Sequence, residues 1–206
     1  FNSPEGLEAL TFYSDLYRMG HSPDEEDWLW GGTEFYENRA GMTIQGNWMM
    51  LIFMQSDSTV NWGAVELPSH HAEGTIASSQ CYGVSSQTKS REASLLLANF
   101  LTTAESQTEL FFTSELPSRM SLSEAYTDYW VNKASEKGLV WHRDDIQTFF
   151  DSLNNSVPRQ SFNVGRYFDN LLQSTFWDAF QQVINGEITA QDMLNQMEAV
   201  SLTDEP

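Results

Sequence analysis

Within Arg39-Ala40-Gly41-Met42-Thr43-Ile44-Gln45-Gly46-Asn47-Trp48 and the run Met49-Met50-Leu51-Ile52-Phe53-Met54 that follows, the hydrophobic period changes. Ala40, Met42 and Ile44 alternate with Gly41, Thr43 and Gln45, the period of two that marks a short strand with one buried face. Gly46-Asn47 breaks the alternation, and the continuous apolar run beyond it reads as a helix. Strand, tight turn and helix in that order belong to α/β architectures. In these, ligands gather at the strand–helix edge, where backbone N–H groups are free. The turn delivers Trp48, whose flat apolar face suits stacking on a sugar ring. Spacing alone favours the plainer reading, in which Trp48 is a core residue wedging the helix onto a sheet.

The rest of the chain is mostly helical by its spacing. Ser3-Pro4 reads as an N-cap followed by proline at the first helical position, and Leu7, Leu10 and Tyr17 recur at helical intervals until Gly20. A short helix is expected over 33–38. Further helices are expected over 90–102 (amphipathic passing into buried), 103–113, from Ser121 through Val131, 144–153 and 165–184. Thr189-Ala190-Gln191-Asp192 is a capping box for a last helix carrying Met193, Leu194, Met197 and Val200. Strands are expected over 39–45, 61–66 and 80–85. The loop Thr75 to Gln80, leading into the third strand, is rich in small hydroxyl side chains of the kind that hydrogen-bond sugars. The sequence holds no internal repeat and no run of eighteen apolar residues.

Charge narrows the choice of partners. Ten Lys plus Arg stand against 29 Asp plus Glu, a net charge of −19. Phosphates would be repelled by such a surface, so nucleic acid is a poor partner. The single cysteine, Cys81, excludes an intrachain disulfide and a cysteine-based zinc site, and its place in a predicted strand reads as a small buried hydrophobe. Asp24-Glu25-Glu26-Asp27 lacks the alternation and the glycine of a calcium loop and reads as a solvated helix start. His70-His71 beside Glu73 offers no third metal ligand, and neighbouring side chains point apart on regular backbone. No metal and no cofactor is expected. His142-Arg143-Asp144-Asp145 superficially resembles a kinase catalytic loop with nothing else of a kinase around it. No serine-nucleophile elbow, phosphate loop, zinc-protease helix or dinucleotide glycine pattern occurs.

A set of matches in one order carries a family resemblance. Glu37 to Trp48 is similar to the strand–turn–tryptophan signature of extracellular solute-binding proteins that serve sugar ABC importers. Ser3-Pro4-Glu5-Gly6-Leu7-Glu8-Ala9-Leu10 resembles the start of one of their helices, and Trp62 to Pro68 and Tyr82-Gly83-Val84-Ser85 resemble later segments. So do Arg91 to Thr102, Leu116-Pro117-Ser118-Arg119 and Gly186 to Leu194. Members of this family run to about twice the present length, and the matched segments are similar to their second half.

The resemblance implies an α/β, periplasmic-binding-protein-like fold of two lobes, of which this chain is the helix-rich carboxy-terminal half. Residues 1–75 would form the first part of the second lobe, 76–149 would return to the first lobe, and 150–206 would supply the second lobe's final helices. It implies capture of a mono- or oligosaccharide by lobe closure and docking on a membrane permease, with no chemistry performed. Location would be extracellular or periplasmic, with any export signal or lipid anchor amino-terminal to Phe1. The resemblance places Trp48 and Tyr82 at the cleft, with Gly46, Asn47 and Ser79 beside them and Asn163 and Arg166 as further contacts. A partner chain, or the absent half, would complete the cleft. Two other classes stay open on the residues alone: a carbohydrate-active enzyme using paired carboxylates, or a helix-rich interaction domain whose aromatics are all core.

Overall fold

A computed structural model of the chain describes residues 1–20, 32–158 and 166–203. The elements run α1 (Pro4–Arg18), α2 (Thr33–Tyr36), α3 (Met49–Gln55), β1 (Thr75–Ala77), α4 (Arg91–Leu101) and α5 (Ala104–Glu109). After these come α6 (Ser123–Glu136), α7 (Arg143–Asp151), β2 (Ser156–Pro158), α8 (Arg166–Ile184) and α9 (Ala190–Thr203). By contacts the chain forms two compact units, one of 1–26 with 160–206 and one of 27–159.

The first unit is a three-helix packing of α1, α8 and α9. The Ser3 hydroxyl accepts from the Gly6 N–H at 3.1 Å and Pro4 opens the helix, as the cap pattern predicts. Leu10, Ala179, Phe180, Val183, Met193, Leu194 and Met197 are buried. Tyr13 stacks on Phe180 at 5.2 Å and Tyr17 meets the same ring edge-on at 5.4 Å. The predicted capping box forms: the Asp192 N–H donates to the Thr189 hydroxyl at 3.1 Å, and the Thr189 N–H donates to the Asp192 carboxylate at 3.0 Å.

In the second unit, α3, α6 and α7 close around Met50, Phe53, Trp62, Tyr126, Trp130, Trp141, Ile146 and Phe150. Phe53 stacks on Trp62 at 6.1 Å, and Trp62 meets Trp141 edge-on at 5.2 Å. Helix α3 is pinned by Met50 and Phe53, both buried. Each is worth about 1.5–3 kcal/mol of apolar burial relative to exposure.

Helices follow the sequence expectations closely, with 103–113 divided into α5 and a 3-10 turn at Phe111–Thr113. Strands do not. Residues 39–45, 61–66 and 80–85 form no ladder among the described residues, where the two strands are β1 and β2, paired in parallel with Ile76 opposite Val157. A strand needs a neighbour for its backbone groups, and alternation of side chains supplies none. Within 61–66 the backbone groups of Ala64 are met by side chains of α7: Asp145 accepts from the Ala64 N–H at 2.9 Å, and the Thr148 hydroxyl lies 3.5 Å from the Ala64 carbonyl. Strand β1 falls instead in the hydroxyl-rich stretch read as a loop, because its partner lies far along the chain.

Two burial expectations and one of side-chain direction are also corrected. Cys81, read as buried, is exposed, since the stretch around it is not covered by a sheet. Helix α4, read as passing into the core, has no buried residue, and Leu95, Leu96, Leu97 and Phe100 all face solvent. The rings of His70 and His71 lie 4.0 Å apart rather than pointing away from each other, because residues 70–72 form a bend.

Candidate functional site

Beyond Glu37, the C-cap of α2, comes Asn38, whose φ of 61° puts it in the left-handed conformation that asparagine tolerates just past a helix end. The Arg39 and Ala40 N–H groups both donate back to the Glu34 carbonyl, at 2.7 and 3.0 Å. From there residues 40–45 run to the turn at Gly46. The Met49 N–H donates to the Gly46 carbonyl at 3.1 Å and the Met50 N–H to Asn47 at 3.1 Å, so α3 begins winding directly after the turn. At its other end, the Lys137 ammonium donates to the Phe53 carbonyl at 2.9 Å, to Met54 at 3.1 Å and to Ser56. A cation placed on the last carbonyls satisfies groups that the helix itself leaves open. Core burial on one side and this cap on the other therefore hold α3, and its N-terminus presents Trp48.

Trp48 is not core: 47% of it is exposed. Its indole N–H donates to the Gln45 side-chain carbonyl at 2.9 Å, which orients the ring across the turn. Gly46 backs it so closely that a Cβ there would fall 2.6 Å from Cη2 and 2.7 Å from Cε3. Gly46 has no positive φ; the close approach of the ring is what requires glycine here. Asn47 is half-buried, and its side-chain amide donates to the Ser114 carbonyl. The Tyr126 hydroxyl donates to the same oxygen at 2.6 Å. Burial pushes the Tyr126 phenol above its ordinary value, so it stays protonated and remains a donor.

The remaining expected contacts fall elsewhere. Ser79 and Tyr82 are exposed on the stretch after β1, and neither shares a hydrogen bond with the Trp48 turn. Asn163 lies outside the described residues, as do Asp24 to Asp27. Of Arg166 the backbone alone is described, as the first residue of α8. Gly46, Asn47 and Trp48 are thus brought together with Gln45 and Ser114. Sequence reasoning passed over the last two. Gln45 was legible as the residue three before a tryptophan; Ser114 was not, because its role comes through its backbone carbonyl.

The turn offers an apolar aromatic face edged by amide groups, an arrangement that binds flat, hydroxyl-bearing ligands by stacking and hydrogen bonding. It is open. A cleft of about 570 Å³ lined by Tyr36, Glu37, Asn38 and residues 56–61 does not include Trp48. Glu34 is the one buried carboxylate among the described residues, and Arg39 stands 3.6 Å from it.

Comparison with known proteins gives a family and a fold. Residues 2–136 match the family described as bacterial extracellular solute-binding protein. Among solved structures, the crystal structure of cyclic alpha-maltosyl-1,6-maltose binding protein from Arthrobacter globiformis superposes with a TM-score of 0.67 at 22% identity. That superposition covers 97% of this chain and 48% of the other, so the present chain spans about half the length of that neighbour and shares its fold. No curated protein matches the chain. The family match takes in well over half of the 206 residues, and the chain belongs to the bacterial extracellular solute-binding proteins.

Proposed function

We propose that this chain is a non-catalytic binding component that captures an extracellular carbohydrate for delivery to the permease of an ABC importer. The observation that carries the reading is the state of Trp48. It sits at the start of a helix fixed at both ends, backed by glycine and oriented through its own N–H, with half its surface in solvent. A core aromatic has no need of such a mounting, whereas a stacking platform requires it. The sugar-binding neighbour supports the ligand class, and the family supports an extracellular or periplasmic place of work.

Trp48 is the stacking face in this reading. Tyr82 and Ser79 line the opposite side of a cleft that closes over the ligand, and Asn163 and Arg166 add polar contacts. The lobe boundaries at residues 75–76 and 149–150 belong to the same proposal. The parallel pair β1/β2 lies close to both in sequence. A tryptophan fluorescence titration with a panel of mono- and oligosaccharides tests the function. A saturable change that disappears in Trp48→Ala supports it. No saturable change with any sugar would overturn it.

A further inference from the structure

Ser114 is an unusual residue. It is buried, with 1% of its surface exposed, and its φ of 62° is a left-handed conformation that a non-glycine residue adopts at a cost. Its hydroxyl finds no hydrogen-bond partner among the described residues. Nothing about its side chain explains its place, but its backbone does. The Ser114 N–H closes the 3-10 turn by donating to the Phe111 carbonyl at 3.1 Å, and its own carbonyl is left to face two donors from distant parts of the chain. One is the Asn47 amide, from the turn that presents Trp48; the other is the Tyr126 hydroxyl, from α6. A carbonyl oxygen has two lone pairs, and both are engaged here.

We infer that Ser114 is a positioning residue for the Trp48 platform: its left-handed backbone aims one carbonyl at Asn47 and Tyr126 together and so fixes the turn before α3 to α6. Core packing holds α3 from Met49 inward, but residues 46–48 lie ahead of that grip. The Asn47–Ser114 bond is what ties them down. Asn47 therefore acts first as a tether. Its Nδ2 is committed to Ser114, and Oδ1 is the atom it keeps for a ligand. Tyr126, never ionised in the working range, holds the second lone pair and keeps the carbonyl from turning. This role deepens the carbohydrate-binding reading and rests on it for its purpose, although not for its geometry.

The test is fluorine NMR on protein labelled with 5-fluorotryptophan. The seven tryptophans give seven signals, and the Trp48 signal is assigned by its loss in Trp48→Phe. Asn47→Asp keeps the size of the side chain and removes its donor; Tyr126→Phe removes the other donor while keeping the ring. Both are expected to shift or broaden the Trp48 signal while those of Trp62 and Trp141 in the core stay in place; Trp130, whose ring lies 6.3 Å from that of Tyr126, responds directly to Tyr126→Phe and is not used as a control. Ser114→Val, β-branched and ill-suited to a positive φ, is expected to do the same, and Ser114→Gly to keep the wild-type Trp48 signal. If Ser114→Val does not fold, the other two variants carry the result. A Trp48 signal unmoved by Asn47→Asp overturns the inference, as does one that moves only together with the core signals. Sugar titration of the same samples separates the two readings. Loss of sugar response in every sample, wild type included, removes the proposed function and leaves the tether standing; a full response in Asn47→Asp with Trp48 unmoved removes the tether alone.

Discussion

The six-membered ring of Trp48 lies over Gly46 at a distance that leaves no room for a Cβ. Two residues apart in sequence, they are parts of one device: glycine gives up its side chain so that the indole can rest on the turn. Gly41, with nothing within 4 Å of where its Cβ would be, plays no such part. Gly46→Val should displace the ring, and Gly41→Ala should leave it undisturbed. Near-ultraviolet circular dichroism of the two variants checks this, and the reverse ranking would place the turn wrongly.

Removing the indole separates binding from stability. Trp48→Ala is expected to weaken carbohydrate binding by roughly 1–3 kcal/mol, the scale of a lost aromatic contact. Because the ring is half exposed, the melting temperature without ligand should hardly change. Thermal unfolding of the free variant measures this, and a loss of stability as large as the loss of binding would make Trp48 a core residue.

Helix α9 has a pH-dependent start. The Asp192 carboxyl is held below its ordinary value of 3.8, first by the Thr189 hydroxyl and then by the Thr189 N–H. A carboxyl whose pKa is depressed on folding adds stability above pH 3.8 and loses it as pH falls through the lowered value. Asp192→Asn should therefore melt below wild type at neutral pH, with the gap closing once both proteins are in stronger acid. Melting curves across that range are the check. A gap independent of pH would mean the carboxylate is not the group that matters.

Helix α4 exposes Leu95, Leu96, Leu97 and Phe100, and the extended stretch before Gly46 exposes Met42 and Ile44. Surfaces of that kind rarely stay bare in water. The 206-residue chain on its own should bind anilinonaphthalene sulfonate strongly or associate, despite a net charge of −19 that opposes association. Dye fluorescence and light scattering measure this. A monomer that leaves the dye dark would show these residues to be covered in solution.

The sequence and the structure agree where information is local. Ser3-Pro4 and Thr189-Asp192 carry their caps in nearby residues, and each forms as read. Agreement ends where a partner far along the chain decides the outcome. Thr75–Ala77 becomes a strand because Ser156–Pro158 lies beside it, whereas Ala40, Met42 and Ile44 alternate correctly and find no ladder among the described residues. At the site, the break in alternation located the turn at Gly46, but spacing favoured a core Trp48, and only the family resemblance pointed to the exposed ring that the structure shows. Ser114 was not, since a left-handed serine whose carbonyl does the holding leaves no mark in a sequence.

The most direct test of the account is saturation-transfer NMR of mono- and oligosaccharides against the wild-type chain and Trp48→Ala. One open face cannot exclude water from a ligand, so binding by the chain alone is expected no tighter than about a millimolar Kd, a range this measurement reaches. The account predicts transfer to the ring protons of at least one sugar with wild type, and its loss with Trp48→Ala. Equal transfer with both proteins, or none from any sugar to either, would contradict it.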